Sequence, residues 1–194
     1  MRRLTIWYQE VGRYLRSNRM WILAALLIVA EILVYACLHA APNRQYEQYV
    51  AETLPTYSSV FGFILLENLK SAVGLVLLGF VPFGFGILYG TFMTAYGLVA
   101  TTKQMLPLVG VKRFLLGTLP HGILEIPAIL FCVVLGVLLS KATTCMLLRR
   151  LKGVPKAHRY QRDLCLIGKS VGLILVPLFT VAAVVEVTIS QYLV

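Results

Sequence analysis

The sequence predicts an all-α, polytopic membrane protein with about five transmembrane helices and an amphipathic helix at its N-terminus. Of the 194 residues, 59% are hydrophobic and only 13% are charged, and the mean hydropathy is +0.81. The apolar residues are grouped in runs long enough to cross a hydrocarbon core of about 30 Å. The 18 Lys and Arg residues lie mainly between these runs. We therefore expect lipid to be the solvent of a single membrane domain covering 1–194.

The N-terminal segment, 1–19, precedes the first apolar run. Leu4, Trp7, Tyr8 and Val11 recur at helical spacing, with arginines on the opposite arc, which is typical of an amphipathic helix lying in the membrane interface. The expected spans are 20–40, 60–78, 80–100, 114–139 and 171–193. The segments between them, 42–59, 101–113 and 140–170, are expected to be loops. The N-terminal arginines and an interrupting Glu31 argue against a cleaved signal peptide.

Segment 140–170 carries eight basic residues against a single acid, Asp163, and 1–19 carries five arginines. Short loops rich in Lys and Arg stay in the cytoplasm, so these two segments should share one side of the membrane. Five spans satisfy this condition and predict a multi-pass protein of the bacterial cytoplasmic membrane with a cytoplasmic N-terminus. Three bases, Lys103, Lys112 and Arg113, are then left in an outer loop.

The basic segment 140–170 is longer than a turn between helices needs. It is expected either to be a solvated loop or to bind an acidic partner or anionic membrane lipid. The candidate binding residues are Arg149, Arg150, Lys152, Lys156, Arg159 and Arg162. The net charge of +10 is explained by membrane topology, so no nucleic acid is expected as a partner.

Several classes of enzyme lack their motifs in this sequence. The four cysteines are scattered and form no CxxC pair, and no HExxH, GxSxG or P-loop string occurs, which disfavours metal-dependent, serine-based and ATP-dependent catalysis. We expect no catalytic residues, no metal and no cofactor. Any energy would have to come from a partner protein.

Three glutamates, Glu31, Glu125 and Glu186, lie inside apolar runs. An ionised carboxylate at the bilayer centre costs about 2.5–3.5 kcal/mol on insertion scales. These side chains are therefore expected to face the bundle interior or to be protonated. His121 lies one helical turn before Glu125, so both can point the same way and form an intramembrane polar cluster.

Pro120 and Pro127 flank that pair, and each removes a backbone donor within the membrane. The freed carbonyls of Leu116 and Ile123 need other partners, which a protonated Glu125, an imidazole or water could supply. The cluster can thus be purely structural. It can also serve ion, proton or substrate translocation, whereas a metal site has only two ligands at best.

Two pairs of glycines have GxxxG spacing, which lets helix backbones approach closely. They are Gly86 with Gly90, and Gly168 with Gly172. Packing inside the bundle is the simpler interpretation. Contact between subunits of a homo-oligomer is the alternative.

The string LPHGILEIPAI at 119–129 resembles a motif of the stage II sporulation protein M family, LPHGxxExPA, which opens a membrane helix. ENLKSA at Glu67, the stretch GFGILYGTFMTAYGL, and VPLFTVAAVVEVTIS at 176–190 resemble further segments of that family, in the same order, so that the resemblance covers roughly 1–192. It implies that the site residues are Asn68, His121, Glu125, Pro127 and Glu186. Ala95 and Tyr96 depart from the pattern, because many relatives have Asn before the glycine at 97.

The resemblance implies a non-catalytic membrane subunit that works with partners. One expectation is a scaffold that holds peptidoglycan hydrolases in a cell-envelope or engulfment complex during sporulation. The other is a permease-like subunit of an exporter driven by a separate ABC ATPase, which the N-terminal amphipathic helix favours. An intramembrane metalloprotease is the weakest alternative.

Overall fold

The computed structural model describes residues 2–41, 57–153 and 158–193. These residues form seven α-helices joined by short helical turns, which confirms the all-α prediction and the N-terminal helix. The helices are α1 (Arg2–Ser17), α2 (Arg19–His39), α3 (Tyr57–Leu77), α4 (Phe85–Val109), α5 (Val111–Leu151), α6 (His158–Ser170) and α7 (Val176–Leu193). Two 3-10 turns, Leu78–Phe80 and Pro82–Gly84, join α3 to α4, and a π-helical turn, Val171–Leu175, joins α6 to α7.

Five helical stretches are long and apolar enough to cross a membrane, as the sequence predicts. They are Arg19–His39, Phe61–Phe80, Pro82–Val109, Gly122–Leu151 and Arg159–Thr188. The third and fourth reach further than expected. Spans of 28 and 30 residues correspond to about 42 and 45 Å at 1.5 Å per residue, more than the hydrocarbon core requires.

Two of the loop predictions are wrong. Segment 101–113 is helical except at Gly110, whose φ of 79° turns the chain sharply between α4 and α5. Segment 140–170 is helical over 140–151 and again in α6, with residues 154–157 outside the described part. Charged residues at the ends of long helices remain in water beyond the hydrocarbon layer, so they need not interrupt the backbone hydrogen bonds. Most of the expected loop 42–59 lies outside the described residues, and α3 begins within its last residues.

Helix α5 forms the centre of the bundle and contacts α2, α3, α4, α6 and α7. Its inward side chains include Ala128, Cys132 and Leu135, all 0% exposed. Helix α7 packs on α5, and its buried small residues include Ala182 and Ala183, which are also 0% exposed. Small side chains at such contacts let helices approach closely, which is how membrane helices gain van der Waals energy when lipid offers no hydrophobic driving force.

The turn between α3 and α4 is attached to α5 by hydroxyl groups. Ser140 Oγ accepts a hydrogen bond from the Gly84 amide at 2.8 Å and donates one to the Val81 carbonyl at 3.0 Å. Thr144 Oγ1 accepts from the amide of Phe83 at 2.7 Å, and Phe83 has an unusual φ of 62° for a non-glycine residue. These bonds satisfy backbone groups that the break between the two helices leaves unpaired.

Candidate functional site

The predicted polar cluster is formed in part by a pair of side chains on α3 and α5. Asn68 on α3 donates a hydrogen bond from Nδ2 to Oε1 of Glu125 on α5 at 2.7 Å. Both side chains are half-buried. The two residues are 57 positions apart in the chain, so only the packing of α3 on α5 brings them together. We refer to Asn68 and Glu125 as the polar pair.

The other predicted members of the cluster are described to different extents. His121 lies one turn before Glu125 on α5, but its side chain is outside the described part. Pro127 is exposed, and Glu186 is half-buried on α7 and engaged in an interaction. Glu31 does not face the interior, because its side chain is exposed on α2.

Glu31 is exposed because of the rotation of α2. The buried residues of this helix are Ala25, Val29 and Ala36, and Glu31 lies about 140° away from their mean direction at 100° per residue. Its neighbours on the outer stripe are Leu27 at 66% exposure and Val34 at 61%. The expectation of an inward-facing carboxyl is therefore wrong for this glutamate.

The prolines inside α5 do not end the helix, which runs unbroken past Pro120 and Pro127. A third proline, Pro177, has a clearer effect that the sequence reading missed. It lies just after the π-helical turn Val171–Leu175, and it lacks the amide that would bond the carbonyl of Leu173. The hydroxyl of Tyr8 on α1 donates to that carbonyl at 3.3 Å.

The two glycine pairs differ. A Cβ on Gly86 would meet the Leu78 carbonyl and Val81, and one on Gly90 would meet the side chain of Leu78, so the first pair serves packing inside the bundle. A Cβ on Gly168 or Gly172 would meet no atom within 4 Å. An equally close approach joins Gly79 and Gly136, where a Cβ on Gly79 would meet the Gly136 carbonyl oxygen.

The basic segments 1–19 and 140–170 lie at one end of the bundle, because α1 packs on α6 and α6 packs on α5. We call α1, α6 and the end of α5 after Ser140 the basic end. Lys169 on α6 forms an ion pair with Glu10 on α1, with Nζ 2.6 Å from Oε2. The same ammonium lies 5.2 Å from the ring centroid of Trp7.

A second lysine, Lys141, joins α5 to the junction between α1 and α2. Nζ of Lys141 on α5 donates to Oδ1 of Asn18 at 2.7 Å and lies 5.2 Å from the ring centroid of Trp21. Asn18, which separates α1 from α2, also donates from Nδ2 to the Tyr14 carbonyl at 2.9 Å. These contacts fix the orientation of α1 relative to the first span. No spacing in the sequence signals the contacts of Lys141, since they join residues more than 100 positions apart in the chain.

A cavity of about 1450 Å³ opens between α1, α5 and α6 at the basic end. Its basic lining residues are Arg13, Lys141, Arg149, Arg150, Arg159 and Arg162. One acid, Asp163, lies among them, and Leu138, Ala142, Met146 and Leu164 supply apolar lining. Of the six predicted binding residues, four therefore line one cavity. Lys152 does not line it, and Lys156 lies outside the described residues.

The electrostatics of α1 follow from these contacts. The hydrogen bond from Lys169 holds the pKa of the Glu10 carboxyl below its ordinary value of 4.5. Burial, together with the nearby charge of Asp163, raises the pKa of Tyr14 well above its ordinary value of 10.0, so Tyr14 stays neutral. At neutral pH the cavity wall is accordingly strongly cationic.

At the opposite end of the bundle lies Lys103, one of the three basic residues that the predicted topology places in an outer loop. Nζ of Lys103 on α4 donates to the carbonyls of Cys37 at 2.7 Å and Ala40 at 3.0 Å. A cation at the C-terminus of a helix satisfies free carbonyls and the helix dipole. Lys103 therefore caps α2. Among the described residues, no group of three or more His, Cys, Asp or Glu could hold a metal ion.

Five apolar helices around a packed centre, with charge concentrated at the ends, define a multi-span helical membrane protein. A model of the family Stage II sporulation protein M matches residues 20–191. The chain therefore belongs to the stage II sporulation protein M family, as the motif at 119–129 indicates. No curated protein and no solved structure matches it.

Proposed function

We propose that this protein is a non-catalytic membrane scaffold that holds other cell-envelope proteins in a complex. The observation that carries the proposal is the position of Glu31. Its carboxyl is exposed near the middle of α2, about 18 Å from Arg19 and about 12 Å from His39 along the helix. It makes no hydrogen bond or ion pair with another residue that the structure describes.

A carboxyl in such a position is poorly matched to lipid. Polar groups within the hydrocarbon layer normally face a protein interior or a water-filled cavity, because burial in acyl chains costs about 2.5–3.5 kcal/mol. The apolar residues around Glu31, such as Leu27 and Val34, supply a surface for a second helix. A partner helix with a hydrogen-bond donor or a cation at the same depth would satisfy the carboxyl and make the association specific.

The packing of the centre supports a holding role over a conducting one. Between Ala128 and Leu139 the inward side chains of α5 are apolar and buried, and Asn68 and Glu125 are hydrogen-bonded to each other within the bundle. The large cavity lies at the basic end, between α1, α5 and α6, and outside the packed centre. The family's association with sporulation supports partners that act on the envelope, with peptidoglycan hydrolases as the class implied by the resemblance.

The positive-inside rule supports a cytoplasmic location for the basic end, in a bacterial cytoplasmic membrane. A membrane-impermeant thiol reagent applied to intact cells tests this orientation. Single cysteines at Arg16 and at Arg162 should both stay unlabelled until the cells are opened. Labelling of either one in intact cells would overturn the topology.

The scaffold proposal is tested by affinity purification of the tagged full chain after crosslinking in its own membranes. Glu31→Leu should abolish recovery of the partner, whereas Glu31→Gln, which keeps hydrogen-bonding capacity, should retain much of it. Glu67→Leu is the matched control, because the Glu67 carboxyl is exposed but paired with Lys70 at 3.4 Å.

Undiminished partner recovery with Glu31→Leu would remove the basis of the proposal. Loss of contacts between copies of this chain alone would show a self-association surface instead, and would likewise contradict a scaffold for other proteins.

A second candidate is the permease-like subunit of an exporter driven by a separate ATPase. The observation in its favour is α1, an amphipathic helix that leads into the first span and packs on α6 at the basic end. Stoichiometric recovery of an ATPase whose hydrolysis rate depends on this chain would favour the permease. A hydrolase in place of the ATPase favours the scaffold.

A further inference from the structure

We propose that the cavity at the basic end binds the phosphate headgroup of an anionic phospholipid of the cytoplasmic leaflet. The inference does not depend on the scaffold role. It rests on the shape, the charge and the position of the cavity.

The first argument is charge. Six cationic side chains line the cavity against the single carboxyl of Asp163. They come from three different helices, namely Arg13 from α1, Lys141, Arg149 and Arg150 from α5, and Arg159 and Arg162 from α6. Like charges repel, so cations on a solvated surface are favoured to lie apart. Here the fold places the cationic side chains around one cavity instead. Guanidinium groups bind phosphate oxygens in a bidentate geometry.

The second argument is the apolar part of the lining. Met146, 37% exposed, and the half-buried Leu164 present apolar surface to the cavity, and the buried Leu138 and Ala142 lie behind them. A soluble anion gains nothing from contact with such an apolar surface. A lipid does gain from it, because its glycerol and upper acyl carbons lie next to the phosphate and bind apolar side chains.

The third argument is depth. The cavity reaches Asn18, where α1 meets the first span, and Lys141 lies over Trp21 at the same level. Tryptophan side chains favour the headgroup level of membranes, and Trp7 lies in α1 beside Lys169. The cavity thus opens at the depth where lipid headgroups lie, between two helices that are themselves amphipathic.

The binding test uses the full chain purified in an uncharged detergent and titrated with phosphatidylglycerol, followed by native mass spectrometry. The wild type should bind the lipid saturably and prefer it to phosphatidylcholine. Arg159→Gln combined with Arg162→Gln should weaken the apparent affinity about 30-fold, as expected for two cations that each act on an anionic headgroup.

The matched control is Arg16→Gln combined with Arg19→Gln. These two arginines are exposed at the same end of the bundle and do not line the cavity, so the same loss of charge should leave lipid binding unchanged. Equal weakening by both pairs would show diffuse attraction to the basic surface and would overturn a defined site. Equal binding of phosphatidylcholine would overturn it as well.

Cysteine reactivity gives a second readout that needs no arginine variant. Cys145 is exposed and lines the cavity, whereas Cys165 is exposed on α6 outside it. In single-cysteine proteins, phosphatidylglycerol should slow maleimide labelling of Cys145 and leave Cys165 unaffected. Equal protection by inorganic phosphate alone would assign the site to a soluble anion. Protection only by a co-purified acidic protein would assign it to a protein interface; either result overturns the lipid proposal.

Discussion

The centre of the bundle and its basic end are held together by different forces. In the centre, α5 packs through small side chains, and Gly79 and Gly136 let the backbone of the α3–α4 turn touch that of α5. At the basic end, Lys169 binds α1 through Glu10 and Trp7, and Lys141 binds the start of α2 through Asn18 and Trp21. Shape complementarity therefore stabilises the part within lipid, and charge and hydrogen bonding orient the part in the interface.

The largest expected effect comes from adding a methyl group at Gly79, where the α3–α4 turn lies against the backbone of α5. Gly79→Ala would push a Cβ against the Gly136 carbonyl and to 2.9 Å from Leu139 Cβ, and backbone atoms cannot rotate away. We expect a loss of about 3 kcal/mol, at the upper end for overpacking, seen as a lower unfolding temperature in detergent. Gly74→Ala is the control, because a Cβ there meets nothing within 4 Å. Similar stability of both variants would contradict the importance of close packing.

The polar pair gives the next largest effect. Glu125→Ala removes the acceptor for Asn68 and leaves a half-buried amide unpaired within the membrane, which should cost about 1–2 kcal/mol. Glu125→Gln keeps an acceptor oxygen and should be close to the wild type. Reversible unfolding in mixed micelles measures both. If function is lost with Glu125→Gln while stability is retained, the carboxyl itself is needed for function and the polar pair is more than structural.

A smaller effect is expected for the lysine over Trp21. Lys141→Met keeps the length of the side chain but loses the hydrogen bond to Asn18 and the contact with the indole, a change of about 1 kcal/mol. In a Trp7→Phe background, the emission of Trp21 should shift and the proteolysis of α1 should accelerate. Lys152→Met, at an exposed position beyond α5, should do neither. Identical spectra for the two variants would show that α1 is positioned by other contacts.

The sequence predicts the centre of the molecule better than its ends. Hydrophobic runs give the five spans directly, since a span needs only length and apolarity. Such runs do not show whether a polar residue faces inward. Glu31 and Glu125 both lie in apolar runs, but Glu31 is exposed on α2 whereas Glu125 is half-buried and hydrogen-bonded to Asn68. GxxxG spacing likewise identifies Gly86 and Gly172 equally, although only the first is packed.

The cavity at the basic end could be predicted only in outline. A count of Lys and Arg indicates a cationic surface, and four of the predicted residues line the cavity. Arg13 joins them from α1 and Lys141 from an earlier turn of α5. The roles of Asn18, Tyr8 and Pro177 depend on contacts between segments more than 100 residues apart. Such contacts follow from tertiary packing and leave no local pattern.

The smallest effect is a pH dependence at the ion pair between Glu10 and Lys169. Because Lys169 lowers the pKa of Glu10 below 4.5 in the folded protein, folding favours the ionised carboxyl. The stabilisation is therefore present above pH 4.5 and is lost as the pH falls through the lowered pKa. The emission of Trp7, recorded in a Trp21→Phe background, should follow this loss because Lys169 lies over its ring. Glu10→Gln should remove the transition, and a transition that persists in this variant would mean that another group titrates beside α1. Since the carboxyl is exposed and screened by solvent, the effect should shrink further in high salt, unlike the effects of Gly79 and Glu125.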